Sequence, residues 1–174
     1  MFAESGYAAA SVRDIVRRTP LASGTFYNYF PGKDAIFRAL VEETAHDARR
    51  PVRAARRRAR TAEEFVEGGY RAFFEFIVSE PERFAFMRAN LQTFRDRFGE
   101  QVLPAGADEL AEDLRGAIAA GHLPPVDVDY CAHAMIAVAL ELGARLAERS
   151  PPDVDGATRF ASALFLGALD RLAA

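Results

Sequence analysis

Apolar positions along the chain recur every three or four residues, and no stretch sustains the strict alternation of a half-buried strand. The pattern predicts helices throughout. Residues 11–18 place Val12, Ile15 and Val16 on one face, and Ser11 with Asp14 three residues on forms a weak capping box. After the interruption "TPLA", a second short helix is expected over about 23–29. Gly32 can cap the next, from residue 33 to about 49, where Ile36, Phe37, Leu40 and Val41 share a face and Pro51 follows the end. Three more helical segments lie between residues 62 and 120, with breaks at Pro81, at Gly99 and Pro104, and at Gly121, Pro124 and Pro125. Two longer helices, about 128–149 and 154–172, are split by "SPPDVDG".

Charge divides this all-helical pattern. The net charge of −3 conceals a basic stretch, residues 1–60, with 12 Lys/Arg and 6 Asp/Glu, and an acidic remainder with 10 and 19. A part that meets polyanions joined to one that does not would give this division; so would a basic surface with no partner. The run "RRPVRAARRRAR" (49–60) is expected to be a solvated charged face, with a second nucleic-acid contact as the alternative. With 174 residues, half of them hydrophobic, the chain can build one or two small cores. No apolar run approaches the ~18 residues of a membrane span, and the opening "MFAESGY" has neither the basic nor the apolar part of a secretory leader. The expectation is a cytoplasmic protein without membrane contact. Cys131 is the single cysteine, so no internal disulfide can form.

Two helices of about eight residues joined by a short turn suit a helix-turn-helix, whose second helix enters the major groove. On a wheel of residues 23–30, Ala22, Phe26 and Phe30 share the core side. Gly24 and Asn28 lie opposite, flanked by Thr25 and Tyr27: a close-approach backbone, small polar groups and a phenol. Lys33, the one lysine of the chain, opens the following helix. A cation there opposes the helix dipole unless a phosphate docks on it; a lone exposed lysine offset by Asp34 is the other reading.

The stretch "FAESGYAAASVRDIVRRTPLASGTFYNYFPGKDAIFRALVEE" (2–43) resembles the DNA-binding domain of TetR-family transcriptional regulators. The likeness rests on the Phe-x-x-x-Gly-Tyr entry, Ser11, Ile15, the run from Gly24 to Phe30, and Lys33 three residues later. It implies an all-helical, dimeric, ligand-responsive regulator, a repressor released from its operator by a small molecule. A head at 1–50 would be followed by an effector and dimerisation domain at 51–174. Carried over, Ser23, Gly24 and Thr25 would face bases, while Ser11, Tyr27, Asn28, Tyr29 and Lys33 would hold phosphates of double-stranded operator DNA. Three departures stand out: Thr19-Pro20 where the family usually has Ala-Gly, Ala22 in place of a Ser/Thr cap, and a first helix shorter than the family's. If these abolish DNA binding, the alternative is a dimeric small-molecule-binding or interaction protein of the same fold.

In the acidic part, nine aromatics between Phe65 and Phe98 are explained by core packing or by an apolar pocket. The pocket reading takes Phe73, Phe76, Met87, Asn90, Leu91 and Phe94 as lining and an apolar or aromatic effector. Apolar stripes on the last two helices, with small residues between them, suit a four-helix homodimer interface through Met135, Val138, Leu142, Leu164, Phe165, Ala168 and Leu169. Packing within the chain could use the same faces. His46, His122 and His133 are scattered, Gly68-Gly69 sits in no phosphate-loop pattern, and Cys131 belongs to an apolar stripe. The sequence therefore gives no metal site, no cofactor and no nucleophile–base pair, and the expectation is a protein that is not an enzyme.

Overall fold

The computed structural model describes residues 2–17, 27–98 and 102–172, and their regular structure is entirely helical. The elements are α1 (Phe2–Ala9), α2 (Val12–Arg17), α3 (Lys33–Arg58), α4 (Ala62–Ser79), α5 (Pro81–Phe98), α6 (Val102–Ala119), α7 (Val128–Ala147) and α8 (Val154–Leu172), with residues 27–29 helical between α2 and α3. Packing groups them into two compact units. The first comprises residues 1–46 and 82–102, the second residues 47–81 and 103–174. The units therefore do not follow a single cut at residue 50: α5, far along the chain, packs with the N-terminal segment.

The first unit is built on aromatic rings. Phe2, Tyr7, Phe37, Phe86 and Phe94 are all buried, with Ile15, Ile36 and Leu40 packed around them. Phe37 has no exposed surface and meets four rings, those of Phe2 and Tyr7 edge-on at 5.2 and 4.8 Å. Asn90, buried on α5, donates its side-chain amide to the carbonyls of Phe2 and Phe86 and so ties α1 to α5. Two short helices cannot hold their shape by propensity alone; this shared ring cluster supplies the tertiary support. Gly6 breaks α1 with φ 71°, a left-handed conformation that glycine adopts without steric cost, and turns Tyr7 into the cluster.

The second unit packs α4 against α8 and α7, and α7 against α8. Phe65, Val66, Tyr70, Phe74 and Ile77 are the buried face of α4. Thr61 caps it by accepting from the Glu64 N–H, and Arg71 reaches Asp155 of α8 at 2.6 Å, which holds that carboxyl below its ordinary range. Helix α7 is long and apolar enough to span a membrane by length and composition, contrary to the reading of the sequence. Of its residues, Cys131, Ala132, Met135, Gly143, Ala144 and Leu146 are buried in the helix packing.

Two expected breaks are not breaks. Helix α3 runs through Pro51 to Arg58. The proline removes one backbone donor, and a ladder of ion pairs along the second half of the helix offsets that loss. Four arginines of α3, Arg49, Arg53, Arg56 and Arg57, fall at helical spacing and meet Glu109, Glu112 and Asp113 of α6. Asp113 is buried, with Arg56 Nε at 3.1 Å, Arg57 Nε at 3.4 Å and Arg53 Nε at 3.6 Å. The run 49–60 is thus divided: Arg49, Arg53 and Arg56 are drawn into the ion network, while Arg50, Arg57, Arg58 and Arg60 remain exposed as the solvated face expected from the sequence. Pro104 lies inside the first turn of α6, where the N–H has no helical partner to lose. Gly68 and Gly69 lie on the face of α4 that meets α3, where a Cβ would come to ordinary contact distance, 3.5 Å from Ala55 and 3.4 Å from Arg56.

Candidate nucleic-acid interface

Residues 27–29 form the described end of the expected recognition helix. Tyr27, Asn28 and Tyr29 are exposed, the tyrosines by 56 % and 73 %, while Phe30 is half-buried. Two phenols are thus exposed on the same short helical segment. Ser23, Gly24 and Thr25, together with the Thr19-Pro20 turn and Ala22, lie outside the described residues.

Ser11 stands exposed at the start of α2. Its hydroxyl accepts from the Asp14 N–H at 3.2 Å and donates to the Asp14 carboxylate, and its carbonyl accepts from Ile15. Ser11 therefore caps α2 as the sequence suggests, but the return bond of a full capping box, from the Ser11 N–H to Asp14, is replaced by one from the Ser11 hydroxyl.

Lys33 occupies the first position of α3, half-buried, with its ammonium committed in a way the sequence did not disclose. Nζ donates to the carbonyl of Tyr7 at 2.9 Å and stands 4.2 Å from the centroid of the Tyr7 ring. The Tyr7 hydroxyl in turn donates to Asp34. One tyrosine therefore binds two consecutive residues of α3 and locks the end of α1 to its start. A cation at a helix N-terminus loses about 0.3–1 kcal/mol to the dipole. A partly shielded cation–π contact returns about 0.5–2 kcal/mol, enough to reverse the sign. Lys33 needs no phosphate to explain its place, yet it lines an open cleft of about 740 Å³, and its other two N–H groups have no partner among the described residues. Tyr7 is the residue that sequence reasoning missed. The glycine before it, which turns the chain, was the available signal.

The six residues expected to line an effector pocket are divided between the two units. Phe73 and Phe76 belong to the second unit; Met87, Asn90, Leu91 and Phe94 belong to the first. Asn90 and Phe94 are consumed by the first unit's core, and Phe76 is buried in the second. Aromatic density along the chain reflected two cores drawing on neighbouring segments.

The apolar stripes of α7 and α8 are split between an inner and an outer side. Met135 and Leu169 are buried within the chain, and Phe165 packs on the Tyr70 ring at 6.0 Å. Val138, Leu142 and Ala168 are half-buried. Leu164 is 49 % exposed, and it is accompanied outside by Tyr130 and Phe160, which the sequence reading passed over. Phe160, Leu164 and Gly167 repeat at helical spacing on the side opposite the buried Ala161 and Leu169, and this offset is the signal that separates the two stripes.

Comparison with known proteins agrees with this architecture. Residues 1–40 match the model of the family described as bacterial regulatory proteins, tetR family. Over 97 % of this chain and 89 % of the other, the fold superposes on the fatty acid degradation regulator FadR of Bacillus halodurans with a TM-score of 0.81 at 20 % identity. A putative fatty acid metabolism regulator of Clostridium perfringens gives 0.78 at 18 % identity, covering 97 % of this chain and 92 % of its own. A regulatory protein of the tetR family from Rhodococcus gives 0.72 at 17 % identity, over 97 % and 90 %. At such identities the likeness establishes the fold.

Proposed function

We propose that this chain, a tetR-family protein by its first 40 residues, is a homodimeric cytoplasmic repressor that holds double-stranded operator DNA until a small molecule releases it. The observation that carries the reading is the exposed Tyr27-Asn28-Tyr29 patch beside the Lys33 clamp. Tyrosine hydroxyls and the Asn28 amide suit phosphate oxygens; Ser11 adds a hydroxyl at the start of α2, and Ser23, Gly24 and Thr25 would supply base contacts. Lys33 acts twice in this reading, fixing α3 through Tyr7 and offering its remaining donors to a phosphate. The effector binds within the second unit, and differential affinity for two states of the dimer provides the switch. The names carried by two of the similar structures favour an effector with an apolar part. Tyr130, Phe160 and Leu164 are the proposed centre of the dimer face, with Val138, Leu142 and Ala168 around them.

The test is binding to the duplex flanking the protein's own gene across a salt series. Affinity should fall linearly on a log–log plot, and Lys33→Met should lower the slope by about one phosphate contact. Absence of binding at low salt would favour a dimeric binder of the same fold that has lost DNA recognition.

A further inference from the structure

The ion network between α3 and α6 holds one of its guanidiniums by a single nitrogen. The Arg56 side chain is only 8 % exposed and gives Asp113 its Nε at 3.1 Å, and neither of its terminal nitrogens is a buried donor left without a partner. Burial holds this guanidinium below its ordinary value in spite of Asp113. A guanidinium held by one nitrogen while it lines an open cleft can offer the others to a ligand.

Arg56 lines a cleft of about 410 Å³, a volume suited to a small organic molecule. Arg57 and Arg60 stand at the same cleft, as does His122. The position of His122 is fixed by the end of α6: its N–H bonds the Ala117 carbonyl at 2.9 Å, the Gly121 N–H bonds Ile118 at 3.0 Å, and Gly121 has φ 73°. Glu112 and Asp113 also line the cleft, Glu112 held by Arg53. Three guanidiniums against two carboxylates leave a surplus of one positive charge. Gly116, Ala117 and Ala120 make the remaining wall apolar and shallow, and a Cβ on Gly116 would meet nothing within 4 Å.

We infer that this cleft binds an organic monocarboxylate, its head group paired with Arg56, Arg57 and Arg60 and its apolar part against the Gly116–Ala120 wall. A planar carboxylate matches the two free ends of a guanidinium fork, and a single negative charge closes the local balance where a dianion would exceed it. The inference deepens the functional reading above by naming an effector class and site, and only its regulatory part rests on that reading.

Calorimetric titration of the full chain with benzoate, its neutral isostere benzamide and inorganic phosphate provides the test. Benzoate should bind at least tenfold more tightly than either of the others. Gly116→Leu, which fills the cleft without touching the ion pairs, should weaken benzoate at least tenfold while leaving the circular dichroism spectrum unchanged. The exposed Arg57→Gln should weaken it several-fold and serves in its place if the leucine variant does not fold. Equal binding of benzoate and benzamide, phosphate binding as tight as benzoate, no benzoate binding at all, or full benzoate affinity in Gly116→Leu would each overturn the site. Duplex binding measured with and without benzoate separates the two claims. Benzoate bound with DNA affinity unchanged removes the effector role; benzoate bound by a protein that never binds duplex leaves the site standing and removes the regulator.

Discussion

The two compact units solve the same problem with different materials. The first joins the short helices α1 and α2 to part of α3 and most of the 18-residue α5 through a cluster of five aromatic rings, assembled from residues as far apart as Phe2 and Phe94. The second has helices of 18 to 20 residues packed along their length and adds a buried carboxylate shared by three arginines. Rings give a small unit much buried area per residue and a defined geometry, whereas long helices can spare interior positions for charge.

The sharpest way to break this comparison is Phe37→Ala, which removes the ring that touches all the others. We expect a loss of about 4 kcal/mol in the first unit, read from denaturant melts, together with loss of duplex binding. Cys131, buried in the second unit, should stay protected from thiol reagents at denaturant concentrations that open the first. Simultaneous exposure of Cys131 would show that the units unfold as one. Next in size, Asp113→Ala strands the buried Arg56 guanidinium and should cost about 3 kcal/mol. The double replacement Arg56→Met with Asp113→Leu should recover most of that loss; failure to recover would mean that the network is itself a stabilising core.

At the outer stripe, Phe160→Glu should weaken self-association about 30-fold, the equivalent of a 2 kcal/mol hot spot, in sedimentation experiments. Its melting as a monomer should not change, since Phe160 is exposed in the chain. Within the head, Tyr7→Phe deletes the hydroxyl donated to Asp34 but keeps the ring under Lys33, and should cost about 1 kcal/mol. The smallest effect is at Tyr70, whose hydroxyl donates to the Met135 carbonyl at 3.3 Å and whose ionisation burial pushes well upward. A folded value raised above the unfolded one gives stability that is complete below about pH 10 and is lost as the pH climbs past it. Tyr70→Phe should make that alkaline decline shallower at little cost near neutrality.

Much of the helix plan could be read from the chain, and the misses share a cause. The Ser11 cap with Asp14 and the helix starts at Lys33 and Pro81 are local events, decided within four residues. So is the glycine stop after α6. Pro51 was taken for a terminator because proline disfavours helix by a fixed local amount. The opposing ion pairs come from residues about sixty positions away and leave no local trace. Lys33 was read for its charge and Asn90 for its place among aromatics, but what each touches lies 26 and 88 residues distant.

By itself the sequence determined the all-helical class, most element boundaries, the basic head and the resemblance of residues 2–43, because capping, periodicity and charge act over short range. Tertiary structure alone decided that α5 completes the head and that part of the arginine run turns inward on Asp113. It also decided that Tyr7 holds Lys33, and which half of each apolar stripe faces out. Those outcomes depend on which distant segments meet, and a helix with apolar or charged residues on two adjoining stripes is locally indifferent to which one is buried.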